Sequence, residues 1–239
     1  MRIGGTGDGS AVAEGRREPR ETCYRCFRPV ASCLCPSRPA METRTRFVLL
    51  MHPMEYKRIR CNTGRLTCLN LANSEIVPGI GFDEDPRVRA LIADPANLPV
   101  LLYPGPGAVN VSREGLGSLE PGGRRLTVFL LDGTWSSAGK MFRQSPSLHV
   151  LPRLMFTPSA PSRYYIKRQP KRDCLSTLEA VHELLLALEK AGLDAYPEKE
   201  RLLAVFAAMQ EYQAARANAE GRRLRGLRDP DGRGIPRVG

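Results

Sequence analysis

Leu130-Leu131-Asp132-Gly133-Thr134-Trp135-Ser136-Ser137 is the stretch on which the fold is read. It continues the apolar run Leu126-Thr127-Val128-Phe129-Leu130-Leu131, which has the pattern of a buried strand. It leads into Ala138-Gly139-Lys140-Met141-Phe142-Arg143, which reads as the first turns of a helix. Asp132 therefore falls at the carboxyl end of a central strand, with Thr134, Ser136 and Ser137 available to cap the helix after it. In α/β folds that edge, beside free helix N–H groups, is where ligands bind. Trp135 is the only tryptophan and lies in this turn. It either covers a ligand or locks the turn into the core, and core packing is the commoner fate of such a residue.

Upstream, Arg46-Phe47-Val48-Leu49-Leu50-Met51-His52 is a second compact apolar run and predicts the first core strand. It ends in the polar cluster His52-Pro53-Met54-Glu55, followed by the basic residues Lys57, Arg58 and Arg60. A lone histidine is more often structural than catalytic, so His52 ranks below Asp132. Asn62 or Thr63 then caps a helix whose apolar positions are Leu66, Leu69 and Leu71. Ser74 to Val77 reads as extended, Asp85-Pro86-Arg87 opens a short helix through Ile92, and Pro99 to Tyr103 reads as a strand. That strand closes on Pro104-Gly105-Pro106-Gly107, a turn where glycine lets the backbone approach a ligand. Residues 110–123 predict a mobile surface loop.

Downstream, Leu148-His149-Val150-Leu151-Pro152 reads as a short strand. Ser162 to Arg172 interleaves Arg163, Lys167 and Arg168 with Tyr164 and Tyr165, a mixture that suits phosphate and base contacts or a solvated edge. Ser176-Thr177-Leu178-Glu179 is a capping box before an amphipathic helix that ends near Gly192. Another helix runs from about Pro197 towards Arg216, with Leu202, Leu203, Phe206 and Met209 on its apolar face. The order of elements predicts an α/β fold with a mostly parallel sheet and flanking helices.

The flanks read differently. Residues 1–20 are small, polar and charged, with nothing to bury and no secretory apolar core, and are expected to be disordered. In residues 21–40, Cys23-x2-Cys26 and Cys33-x-Cys35 bring four cysteines close together, a set that can converge on one tetrahedral ion. Zinc suits four thiolates, and a closed four-ligand set implies a structural role. Arg25, Arg28 and Arg38 would decorate this knuckle. The globular domain is expected over residues 41–218, and the arginine-rich tail 219–239 is expected to be disordered.

The 239 residues suffice for one sizeable α/β domain with a small module attached. A net charge of +11 and a pI near 9.7 favour a polyanionic partner, nucleic acid first, unless a basic tail alone sets the balance. No run approaches the roughly 20 apolar residues of a membrane span. A cytoplasmic location with no membrane partner is therefore expected, and cysteines there suit metal binding better than disulfides.

Taken together, these motifs resemble the DTW-domain family, whose members include bacterial tRNA-uridine aminocarboxypropyltransferases. The resemblance rests on the cysteine quartet, Glu55 with Asn62-Thr63-Gly64, Asp132-Gly133-Thr134-Trp135, Lys140-Met141, Ser145-Pro146-x-Leu148, Tyr164 and Thr177-x-Glu179-Ala180. It covers roughly residues 23–190. It implies S-adenosylmethionine as co-substrate and tRNA as partner, with the 3-amino-3-carboxypropyl group passing to N3 of a uridine and methylthioadenosine released. It also implies a relation to the SPOUT-like, knotted methyltransferase folds. Under this reading Asp132 is the expected general base, or else a structural cap of its turn. Thr134, Trp135, Asn62, Thr63, Gly64 and Pro104 are expected at the co-substrate, and Glu55, Arg58, Arg163, Tyr164, Lys167 and Arg168 at the acceptor RNA. Arg58, Arg163 and Lys167 are also candidates for the co-substrate's carboxylate. The family's Y-R-x-R segment reads Tyr164-Tyr165-Ile166-Lys167-Arg168 here, which keeps a charge at Lys167 and loses the planar fork unless Arg163 or Arg168 replaces it. A SPOUT-type RNA methyltransferase and a non-catalytic zinc-knuckle RNA-binding protein are the rival readings. Which uridine is modified, and the oligomeric state, are not written in these motifs.

Overall fold

The computed structural model describes residues 21–58, 62–117, 119, 121–167 and 174–221. The expected disorder of 1–20 and of the tail after Gly221, and the site expectation at Arg168, lie outside the described residues. The strands are β1 (Arg46–Met51), β2 (Ser74–Pro78), β3 (Asn97–Leu102), β4 (Val109–Asn110), β5 (Arg125–Asp132) and β6 (Arg153–Met155). The helices are α1 (Pro53–Arg58), α2 (Thr63–Asn70), α3 (Pro86–Ala93), α4 (Val111–Glu114), α5 (Trp135–Arg143), α6 (Pro146–His149), α7 (Thr177–Lys190) and α8 (Glu200–Ala219).

The six strands form one sheet in the order β2-β1-β5-β3-β6-β4, and each of their pairings is parallel. A parallel sheet needs both faces covered, so its strands are apolar on both sides. In β1 and β5, alternate residues feed two cores. Phe47, Leu49, Leu126, Val128 and Leu130 pack with Leu66 of α2, Val111 of α4, and the apolar faces of α7 and α8. Val48, Leu50 and Phe129 pack on the other face with Val88 and Leu91 of α3, Met141 of α5 and Leu148 of α6. The chain steps from β1 outward to β2, then starts β3 on the far side of β5. β5 thus fills the point where the winding reverses, and its carboxyl end opens onto the crevice that such a reversal creates.

Local signals set the helix starts. Asn62 caps α2 by accepting from Arg65 N–H at 3.0 Å, and Asp85 caps α3 ahead of Pro86. Ser176 and Glu179 close the expected capping box on α7. Two expectations are corrected. Residues 110–123 are not a free loop: Asn110 caps the single turn α4, and Val111 and Leu116 are buried in the core. The run from Leu148 to Pro152 is not a strand. Pro146 starts the turn α6, Leu148 is buried, and pairing begins only at Arg153.

Glu179 does more than close its box. Its buried carboxylate accepts from Ser176 N–H at 2.8 Å, Ser176 Oγ at 2.7 Å, Ser162 Oγ at 2.9 Å and Arg163 N–H at 2.6 Å. From the other side, Gln210 of α8 accepts from Tyr165 N–H at 2.8 Å and donates to Arg163 O at 3.1 Å. Segment 162–165 is held between α7 and α8 by these bonds. Glu179→Gln places an amide donor against donors that a carboxylate satisfied, so it is expected to cost about 2–3 kcal/mol in urea denaturation. A loss below about 0.5 kcal/mol would show that the carboxylate does not hold this segment.

Candidate active site and cysteine knuckle

Residue alternation along β5 turns Asp132 towards the face covered by α2 and α7. Its side chain is buried at 4% exposure. Oδ1 accepts from Thr177 Oγ1, the first residue of α7, at 2.6 Å. Oδ2 is buried and has no hydrogen-bond partner among the described residues. That oxygen lies against the first turn of α2, so closely that a Cβ added to Gly64 would collide with it. Only glycine fits at position 64 without moving the carboxylate.

On the same side, Asn62 donates to Glu55 Oε2 at 3.3 Å, which brings a second carboxylate to the neighbourhood of Asp132. Burial pushes the Asp132 carboxyl up to about 6; the Thr177 hydrogen bond opposes the rise, the Glu55 charge adds to it, and Asn62 and Lys167 pull it back. The backbone N–H of His52 donates to Asp132 O at 2.8 Å, and its ring Nδ1 accepts from Met54 N–H at 3.3 Å. One bond continues the pairing of β1 with β5 and the other starts α1, so His52 has a structural place.

On the β3 side of β5 lies a cavity of about 270 Å³. Tyr103 and Pro104 after β3, Leu130, Leu131 and Gly133 of β5 and its turn, Trp135 and Thr177 are among its walls. The lining is mainly apolar, and Thr177 belongs both to this wall and to the Asp132 hydrogen bond. Trp135 is not packed in the core: it is 55% exposed at the cavity, which overturns the core-packing expectation. The reason is the Thr134 cap. Thr134 accepts from Ser137 N–H at 3.2 Å and makes Trp135 the first helical residue, facing out of the turn.

The expected site residues thus divide into groups. Pro104 and Trp135 line the cavity, whereas Asn62, Thr63 and Gly64 form the start of α2 beneath Asp132. Thr134 caps α5. Glu55 stands with Asn62, and Lys167 is near enough for its charge to act on Asp132. The Arg163 side chain is exposed while its backbone is held by Glu179 and Gln210. The Tyr164 ring is half-buried and packs edge-on to Phe206 at 5.0 Å, against the core. Arg58 lies in α1. Thr177 was not among the expected site residues, although its place in the Thr177-x-Glu179 motif was the available signal.

The four cysteines converge as expected. Their Sγ atoms lie within 4.8 Å of one another, with Cys23–Cys35 and Cys26–Cys33 at 3.7 Å. Four sulfurs at about 2.3 Å from a tetrahedral zinc ion stand roughly 3.8 Å apart, so the donor set fits that ion. Cys35 N–H donates to Cys33 Sγ at 3.4 Å. Backbone N–H groups of Cys26 and Arg25 pull the Cys23 thiol down to about 6, while burial pushes Cys35 up. Arg25 and Arg38 are exposed on the knuckle, but Arg28 is not: it is 1% exposed, with its guanidinium 5.1 Å from the centre of the Tyr212 ring.

A parallel α/β domain with a buried acid at the strand reversal, an apolar cavity beside it and a cysteine knuckle ahead of it defines the class of protein. The DTW domain model matches residues 20–214, and the chain belongs to that family. It is 33% identical over 177 residues to tRNA-uridine aminocarboxypropyltransferase 2 of Mus musculus, covering 72% of this chain and 58% of the relative. It is 32% identical over 177 residues to the protein of the same name in Drosophila melanogaster, covering 71% and 67%. With tRNA-uridine aminocarboxypropyltransferase A of Arabidopsis thaliana it shares 28% identity over 223 residues, covering 82% and 81%. The chain spans less than two thirds of the mouse relative's length. No solved structure matches it. No helix among the described residues is long and apolar enough to cross a membrane.

The buried carboxyl makes stability depend on pH. Its folded value, about 6, lies above the ordinary 3.8, so the ionised form costs stability above about pH 6 and the cost is absent below about pH 4. Asp132→Asn is therefore expected to stabilise the fold by about 2–3 kcal/mol at pH 8 and by little at pH 4. Thermal melts of both proteins across that range check this; a gain that does not change with pH would contradict it.

Proposed function

We propose that this protein transfers the 3-amino-3-carboxypropyl group of S-adenosylmethionine to N3 of a tRNA uridine. The observation that carries the reading is Asp132: a buried acid beside an apolar cavity, with one oxygen held by Thr177 and the other unpartnered among the described residues. The names of the relatives supply the reaction class.

Asp132 accepts the N3 proton as the base attacks, and a value near 6 suits a general base working near neutral pH. The N3–C bond forms at the methylene carbon next to the sulfonium. The C–S bond breaks, its electron pair stays on sulfur, and methylthioadenosine leaves. Thr177 keeps Oδ1 occupied, so Oδ2 is the oxygen left for the proton. The walls at Tyr103, Pro104 and Trp135 receive the adenosyl portion and exclude water from it. Lys167, whose charge already acts on Asp132, faces the carboxylate of the transferred group, with Arg163 four residues earlier in the chain. Choosing this carbon over the methyl is a matter of alignment, because the attacking nitrogen must stand in line with the bond that breaks. In the knuckle, Cys23, Cys26, Cys33 and Cys35 hold a structural zinc ion, and the protein acts in the cytoplasm.

Unmodified tRNA incubated with co-substrate labelled in the amino-acid carboxyl carbon is expected to gain label. Asp132→Asn is expected to lower kcat by about 10²–10⁴-fold. A tRNA that gains only the mass of a methyl group would assign the chain to methyl transfer instead, and full activity in Asp132→Asn would remove the base from Asp132. Metal analysis of the purified protein is expected to find one zinc per chain, lost in Cys26→Ser with a fall in melting temperature. An unchanged zinc content in that variant would contradict the four-thiolate site.

A further inference from the structure

The knuckle leaves its aromatic residues outside. Tyr24 is 90% exposed in the first cysteine turn, and Phe27, 45% exposed, ends that turn with a φ of +57°, a conformation few non-glycine residues adopt. On α1, Tyr56 is 39% exposed and Met54 48% exposed. Phe27 and Tyr56 come from separate segments, yet one side chain joins them. The Arg65 guanidinium lies 5.0 Å from the ring centres of both Phe27 and Tyr56, and its Nη2 donates to Tyr56 O at 3.0 Å. Arg25 and Lys57, both exposed, stand beside Tyr24 and Tyr56 in the chain.

The patch also touches the candidate active site. Arg65 N–H donates to Asn62, and Asn62 donates to Glu55, the neighbour of Tyr56 in α1 and of Asp132 in charge. Exposed rings next to cations suit the unpaired nucleotides of RNA: bases stack on the rings while arginine and lysine meet the phosphates. The exposed Lys57 and Arg25 beside the rings favour a polyanion over a protein partner, whose interfaces are depleted in lysine.

We propose that Tyr24, with Phe27 and Tyr56 set by Arg65, forms a stacking platform that holds unpaired RNA nucleotides next to the nucleotide under modification. The proposal rests on the reading of tRNA as substrate, and it assigns the knuckle a part in holding that substrate. Duplex RNA, whose bases are stacked on one another, gains nothing from such a surface.

Fluorescence anisotropy with labelled unmodified tRNA, and with a blunt-ended RNA duplex, tests it on the full chain without turnover. Tyr24→Ala and Tyr56→Ala are each expected to weaken tRNA binding about tenfold and to leave duplex binding unchanged. Tyr24→Phe and Tyr56→Phe, which keep the ring, are expected to bind as the parent does. Zinc content and methylthioadenosine binding report that knuckle and cavity are intact in each variant. If the intact alanine variants bind tRNA as the parent does, the platform is wrong even when label transfer proceeds. If the parent protein binds tRNA no better than duplex, the platform is likewise wrong. If the parent transfers no label but its tRNA binding falls with the alanine variants, the platform stands and the transferase reading fails.

Discussion

Thr177 donates to Asp132 Oδ1 across 45 residues of sequence, and this 2.6 Å bond ties the end of β5 to the start of α7. A carboxylate at 4% exposure is costly to ionise, and one hydrogen bond does not settle that cost. Its surroundings are arranged accordingly. Gly64 removes a side chain that would collide with Oδ2, while Asn62, at the cap of α2, stands between Asp132 and Glu55. Helix starts, strand end and glycine form one unit around a single oxygen that no described residue partners.

The same bond places the site relative to the cavity. Thr177 belongs to the cavity wall, and Glu179, two residues on, holds the segment that carries Arg163 and leads to Lys167. The start of α7 therefore orients three things: the acid, the wall and the basic segment. Gln210 secures that segment from α8, so its path is set from both sides. A helix start can do this because its cap ties side chains to backbone over a few residues, whereas a mid-helix residue presents only one side chain.

How much of this was legible depended on the range of the interactions. The strand before Asp132, the caps at Asn62, Asp85 and Thr134, and the Ser176–Glu179 box are all local patterns, and each is present in the fold. The cysteine quartet was legible for the same reason, since its four members lie close in the chain. The exposure of Trp135 was not, because it depends on where the Thr134 cap aims the first helical turn. The Thr177–Asp132 bond was hidden as well: a motif marked Thr177, but no local pattern pairs residues so far apart. Short helices also escaped notice. In α4 and α6 a single turn cannot display a period, so Leu148 and Val150 looked like strand alternation while Pro146 was already starting a helix.

Net charge needs the same care. The chain carries +11, yet several arginines serve the fold. Arg28 is buried under the knuckle against Tyr212, and Arg201, 11% exposed in its side chain, donates to Arg38 O, Pro39 O, Asn70 and Glu198. Those two anchor the knuckle's base to α2 and α8, and Arg65 anchors its tip through Phe27. A guanidinium spent on carbonyls and ring faces gives a polyanion little to bind. Among the cations that stay exposed, Arg25 and Lys57 lie on the knuckle and α1, and Arg163 and Lys167 on the segment whose charge reaches Asp132. Where the exposed charges lie, rather than their total, decides which face of this basic chain can meet a polyanion.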